Sequence, residues 1–279
     1  MPDDDGEQRP DSPGGSEIGP VARRYLDAVR TSAEADLGHE LPDGTTVVPA
    51  PDRQGSRSAV CYPLHRSTVV WCAPERAHLL EIVRSDRAAT SERFTRTMLD
   101  AGATSPSRGH DRVLERADRP VGPTPSGARR LDPGRPGDRE LVAALAARCP
   151  ADDLDEAELD PDHLDPHIAG VEAPGGDGAL AAVAYAQPWV HDPVLLDIGV
   201  ICDPAHRRTG AAQRAVTALV LTHDDDHDWL YRCDAENTAS DRLAVALGFR
   251  LVSEVTSVDV TTIAEQPGSD GSIADPSGR

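Results

Sequence analysis

The chain has 279 residues, enough for one large domain or two small ones, and it carries 48 Asp and Glu against 28 basic residues for a formal net charge of -20. A charge this negative speaks against nucleic-acid backbones and anionic membranes as partners. Every basic residue is Arg, so a lysine nucleophile, a Schiff base and a P-loop lysine are all excluded.

Residues 1–16, rich in Asp, Gly, Pro and Ser, are expected to be disordered. A helix is predicted from Ile18 to Asp36, with Val21, Tyr25, Ala28 and Val29 at helical spacing. Short strands are expected at Thr46–Pro49, Ala59–Tyr62 and Thr68–Cys72, then helices at Pro74–Arg84 and Ser91–Ala101, the latter capped by Ser91. Between Gly102 and Gly137 the chain turns rich in Gly, Pro, Ser and Arg, and a linker is read at Asp118–Gly127. That divides the chain into a smaller α+β domain at 17–117 and a second domain at 118–262, followed by a disordered tail over 263–279.

In the second domain, helices are predicted at Asp138–Arg148 and Asp153–Leu159. His167–Glu172 and Leu180–Val190 read as a hairpin joined through Pro174-Gly-Gly-Asp-Gly. Then come the strand Val194–Cys202, a helix carrying Ala212, Ala215, Val216, Leu219 and Val220 on one face, and the strand Trp229–Cys233. The helix Thr238–Leu247 follows, closed by Gly248, and Leu251–Val260 is the last strand. The order is mixed α and β around a single sheet.

The sharpest local feature is the strand, loop and helix from Leu195 to Leu221. Its turn, Arg207-Arg208-Thr209-Gly210-Ala211-Ala212, opens a helix whose first N–H groups lack intrahelical partners, a setting suited to an anion. Gly210 and the small Ala211 and Ala212 let a phosphate come close to the backbone. Glycine turns before helices also arise for purely structural reasons.

In its context this segment resembles the GNAT family of acyl-CoA-dependent N-acetyltransferases. Val200-Ile-Cys-Asp-Pro204 precedes Arg207, Gly210 and Ala212 in that family's central pattern. Asn237-Thr-Ala-Ser240 and Leu247-Gly248-Phe249 follow in its later one, and the resemblance covers residues 125–262. It implies a GNAT fold, an α/β (α+β) architecture with a mixed, mostly antiparallel sheet flanked by helices. It also implies acetyl-CoA as co-substrate, an amine as acceptor and direct transfer between them. Carried over by position, backbone groups of Val200, Ile201 and Cys202 would pair with the pantetheine arm, the N–H of Val200 or Ile201 acting as an oxyanion donor. The N–H groups from Arg208 through Thr209, Gly210 and Ala211 to Ala212 would hold the pyrophosphate beside Arg207 and Arg208. Asn237 and Ser240 would contact the cofactor.

The family's usual acidic Tyr is replaced here by Ala244. Asp197 is the best-placed carboxylate for a base, with a salt-bridged strand residue as the other reading; Tyr231 and then His206 are stand-ins. The rival function is a non-catalytic acyl-CoA-binding module. The run His223–Asp228 reads as a solvated acidic turn, and His163 and His167 read as surface residues. The scattered Cys61, Cys72, Cys149, Cys202 and Cys233 form no CxxC pair, so no metal is expected; Cys202 and Cys233 read as small core residues, and Trp189 as lining a cleft. No signal peptide or membrane span is read, so a cytoplasmic protein is expected, as a possible homodimer. The acidic, Lys-free surface suits a high-salt cytoplasm, where screening mutes self-repulsion; a GC-rich coding sequence is the other reading.

Overall fold

In the computed structural model, residues 18–84, 90–176, 178–223 and 226–263 are described; the expectations for residues 1–16 and for the tail from 264 lie outside them. The chain runs α1 (Pro20–Leu37), β1 (Gly44–Pro49), β2 (Ser58–Pro63), β3 (Ser67–Cys72), α2 (Glu81–Arg84), α3 (Ser91–Asp100) and β4 (Thr104–Leu114). It continues through β5 (Ala128–Arg130), α4 (Pro136–Ala146), α5 (Ala151–Ala157), β6 (His167–Glu172), β7 (Leu180–Trp189) and β8 (Asp192–Cys202). Last come α6 (Ala211–Thr222), β9 (Asp228–Asp234), α7 (Thr238–Ala246) and β10 (Arg250–Asp259).

The ten strands among the described residues form one sheet in the order β1-β3-β2-β10-β4-β9-β8-β7-β6-β5. Pairing is antiparallel except between β1 and β3 and between β8 and β9. This is the expected mixed, mostly antiparallel α+β architecture.

The sheet is continuous across the composition break near residue 118, because β4, from before it, lies between β9 and β10, from after it. The sequence reading placed no strand over Thr104–Leu114, which lies in the Gly-, Pro-, Ser- and Arg-rich stretch ahead of the linker. Thr104–Arg108 is exposed and polar, and buried alternation is missing until Asp111–Leu114, so the strand has no period-2 signature. The three-residue β5 was missed for its brevity. Pro74–Leu80 is 3₁₀ rather than α, and α3 is capped not by Ser91 but by Thr90, whose hydroxyl accepts from Arg93 N–H at 3.3 Å. Ser91 instead donates to the Glu254 carbonyl at 2.7 Å.

Helices cover both faces. On one face α6 lays Ala211, Ala215, Ala218 and Leu219 against Ala169, Ala182 and Ala184; the small side chains let helix and sheet approach closely. On the other, α1 buries Val21, Tyr25 and Val29 beneath Trp71 and Trp189. The start of α1 is held from a distance: Glu115, just past β4, accepts from Val21 N–H at 3.1 Å and Ala22 N–H at 3.0 Å.

Candidate active site

β8 and β9 pair only over Leu195–Asp197 and Asp228–Leu230, and then part. A cavity of about 1050 Å³ occupies the gap. It is lined on one side by the end of β8, the 207–212 turn and α7, and on the other by Tyr62, Asp111 and Val255.

The turn is built from local rules. Asp203 accepts from Ala205 N–H at 2.9 Å and from Arg148 Nε at 2.6 Å, which fixes the exit from β8. Arg208 (φ 63°) and Gly210 (φ 77°) then take left-handed conformations, and α6 begins with neither a side-chain cap nor an acidic residue in its first turn. Its leading N–H groups and the positive dipole end therefore face the cavity mouth without a carboxylate of their own helix. Thr209 turns its hydroxyl back to the His206 carbonyl at 2.7 Å, and neither residue lines the cavity. Arg207 is not free: it is ion-paired with Asp153 of α5.

Along β8, the Asp203 N–H bond to the Ala181 carbonyl sets the alternation. Gly199 and Ile201 thus spend their amides on β7, while Val200 and Cys202 present theirs to the gap. Of Val200 and Ile201, the two donors the sequence offered, Val200 is the one whose N–H is not committed to β7. Gly199 is needed for close approach, since a Cβ there would lie 2.5 Å from the Ala157 carbonyl oxygen and 2.4 Å from the Tyr185 ring.

Asn237 caps α7, accepting from Ser240 N–H at 3.0 Å, while its amide donates to Glu156 of α5 at 2.7 and 2.8 Å. Ser240 is hydrogen-bonded to the Tyr231 hydroxyl at 2.8 Å. Burial pushes the Tyr231 phenol well above its ordinary pKa, so it stays protonated. Ala244 is fully buried against the core and offers no acid.

The carboxylates gather on the opposite side of the sheet. Asp197 is bonded to Arg232 through Nε at 2.7 Å and Nη2 at 2.6 Å. Burial pushes the Asp197 carboxyl up and the Arg232 bonds pull it back. Burial also works against the Arg232 charge, but Asp197, Asp111 and Glu158 outweigh it and raise its pKa. Asp197 is thus a salt-bridged strand residue, the second of its two readings, although it does line the cavity.

The residue that sequence reasoning missed is Asp111 on β4. It is 3% exposed and lines the cavity; Oδ2 accepts from the Tyr25 hydroxyl at 2.6 Å, and no other protein partner among the described residues holds the carboxylate. Burial pushes it up to about 6, with Asp197 adding and Tyr25, Arg232 and His110 opposing. Its only sequence signal was a charged residue beside the apolar Val113-Leu114 pair.

Of the residues singled out beforehand, Asp197, Val200, Ile201, Cys202, Arg207, Arg208, Gly210, Ala211, Ala212, Tyr231, Asn237 and Ser240 line this one cavity, and Thr209 does not. Cys233 is buried in the core as expected, with Cys202 packed against the same cluster, and Cys233 also lines the cavity. Trp189 does not: it is buried, stacked on Tyr25 at 4.9 Å between ring centres. His163 is exposed as expected, but His167 is half-buried, with its ring 5.0 Å from that of His223 and 5.1 Å from that of His227. Within the acidic run, Asp224 and Asp225 lie outside the described residues. No helix among the described residues is long and apolar enough to cross a membrane.

Neither a family model nor a curated protein matches the chain. Among solved structures, it is similar to a protein assigned to the GNAT acetyltransferases from Novosphingobium aromaticivorans, at 23% identity and a TM-score of 0.40, over 56% of this chain and 65% of that one. It is also similar to a GNAT-family acetyltransferase from Colwellia psychrerythraea, at 13% identity and a TM-score of 0.45, over 68% and 75%. A third is a tandem GNAT protein from the clavulanic acid biosynthesis pathway, at 13% identity and a TM-score of 0.45, over 86% and 95%. The chain spans less than two thirds of the Novosphingobium protein. Each of these likenesses has an identity of 23% or less and a TM-score of 0.45 or less.

Proposed function

We propose that the protein transfers an acyl group, acetyl in the simplest case, from acyl-CoA to an amine by direct attack. The observation that carries this reading is the single cavity in the β8–β9 gap, which joins an uncapped helix N-terminus to a buried carboxylate. The leading N–H groups of α6 would hold the pyrophosphate, and Val200 and Cys202 N–H would meet the pantetheine arm and the thioester oxygen. Bound acyl-CoA supplies an electrophilic thioester carbon.

Asp111, rather than the salt-bridged Asp197, takes the proton from the attacking amine, its pKa of about 6 leaving it ionised near neutrality. As the C–N bond forms and the C–S bond breaks, Tyr231, kept neutral by burial, donates its proton to the departing thiolate and regains one through Ser240. The rival reading, a non-catalytic acyl-CoA-binding module, draws support from the α5 carboxylates that hold Arg207 and Asn237, and from Ala244. Acetyl-CoA turnover across an amine panel tests both. Thiol release that Asp111→Asn lowers about 100-fold or more is the expected result. Binding without release from any amine favours the module, and absence of binding refutes both.

A further inference from the structure

The acceptor end of the cavity holds more than a base. Asp111, Asp197 and Glu158 come from three separate parts of the chain to line this one cavity. Arg232 neutralises Asp197 by two close bonds and reaches Glu158 at 3.4 Å, which leaves Asp111 as the carboxylate without a paired cation. Arg53 lines the same cavity from the short 3₁₀ turn Pro51–Arg53. Of the six arginines on the cavity wall, Arg207 is paired with Asp153 and Arg232 with Asp197, while Arg53, Arg108, Arg208 and Arg242 have no carboxylate partner among the described residues. Of these four, Arg53 is the one whose charge reaches the buried Tyr62, as that of Asp111 does. Tyr62 lines the cavity with them: burial and then Asp111 push its phenol up, Arg232 and Arg53 pull it down, and its ring packs edge-on to Trp71 with 5.2 Å between centres.

An ammonium fits beside a buried, singly bonded carboxylate, and a guanidinium with a free fork fits a carboxylate in two parallel bonds. We infer that the acceptor is a compact amine that also bears a carboxylate, an amino-acid-like zwitterion bound with its nitrogen at Asp111 and its carboxylate at Arg53. This rests on the acyl-transfer reading, for it names the amine of that reaction. It also assigns the part of the chain before residue 118, which supplies Arg53, Tyr62 and Asp111, to acceptor selection. A zwitterion adds no net charge to the site, so a strongly acidic surface around it confers no preference for cations within.

The test is isothermal titration of the full chain, without acyl-CoA, in low and in molar KCl. The probes are amino carboxylates from glycine to 6-aminohexanoate, with diamines and dicarboxylates of matched length. The expected result is saturable binding of one or two amino carboxylates at least tenfold tighter than the matched diamine and dicarboxylate. Arg53→Gln should weaken the amino carboxylate at least tenfold and leave the diamine within twofold. Asp111→Asn should weaken both. A diamine that binds as tightly as the amino carboxylate overturns the inference, as does no binding by any probe or an Arg53→Gln protein with unchanged affinity. Circular dichroism and a separate CoA titration of Arg53→Gln keep the test interpretable. CoA binding without amino-carboxylate binding refutes this inference alone. Amino-carboxylate binding without CoA binding refutes the acyl-transfer reading and leaves the pocket assignment standing.

Discussion

Asp111 and Arg232 stand directly opposite each other on β4 and β9, yet the Arg232 guanidinium bonds to Asp197 on the far side of its own strand. One half-buried cation therefore serves a bonded carboxylate on β8 and, at longer range, a second on β4. Arg232→Met would leave both without compensation. A loss of about 3–5 kcal/mol in unfolding free energy is expected, as for a broken buried ion pair. Chemical denaturation checks it, and a variant within about 1 kcal/mol of the wild type would mean the network is not held as described.

Asp111 itself gives a pH signature. Its carboxyl moves from 3.8 to about 6 in the folded chain. Between about pH 4 and pH 6 the native state keeps a proton that the unfolded chain has released, so ionising Asp111 removes stability as pH rises through that window, by about 3 kcal/mol in all. Tyr25 and Tyr62, which face it, stay neutral there because burial raises both, and Arg232 stays charged. Asp138 and Asp203, lowered by Arg129 and Arg148, act in the opposite sense: their stabilisation is present above the unfolded pKa and lost as pH falls. The clean quantity is the wild-type stability minus that of Asp111→Asn, which should decline from about pH 4 to about pH 6. A flat difference would remove the basis for Asp111 as a base.

The acidic helix α5 sets up an unusual expectation. Asp153 pairs with Arg207, and Glu156 holds the Asn237 amide, so two cavity-wall groups already carry carboxylates when no anion is bound. An entering pyrophosphate must displace them. Asp153→Asn with Glu156→Gln should therefore tighten CoA binding, roughly three- to tenfold for two weak exposed contacts at 0.2–1 kcal/mol each. Weaker binding in a CoA titration would show that α5 helps to hold the ligand instead.

Gly210→Asp should fold and fail to bind CoA. A Cβ at Gly210 meets only Arg214 Nη1, at 3.7 Å, and Asp tolerates the left-handed φ of 77° better than most residues. The defect is then one of charge at the α6 N-terminus. Thermal shift without ligand reports folding, and unchanged CoA affinity would refute the anion site.

Gly199→Ala presses on backbone as well as on a ring, because its Cβ would meet both the Ala157 carbonyl and the Tyr185 side chain. About 1–3 kcal/mol of stability should be lost through overpacking. Hydrogen exchange should quicken in α5 before it does in β8, and uniform quickening would argue against a local displacement.

What could be read beforehand was what is encoded over short stretches. The α6 turn needs only Gly210, the small Ala211 and Ala212, and the apolar stripe behind them, and all lie within a dozen residues. The hairpin of β6 and β7 and the stop at Gly248 are similarly local. Asp111 and Glu115 escaped because their meaning lies at the far end of long separations: Asp111 is defined by Tyr25 and Arg232, and Glu115 by the amides of Val21 and Ala22. Trp189 looked like a cleft residue because it ends a strand, but Tyr25 from α1 closes over it.

The placement of β4 makes the two halves of the chain mutually dependent. A protein begun at residue 118 would lack the strand that joins β9 to β10, and with it Asp111 and the Glu115 that anchors α1. It would leave one edge of β9 and both edges of β10 unpaired and tend to associate with other chains. A nick within Asp118–Gly127 should leave the two fragments bound as one particle, since hydrogen bonding across β4 does not need that connection. The connector is thus the natural place to divide the gene into two complementing pieces, each silent without the other.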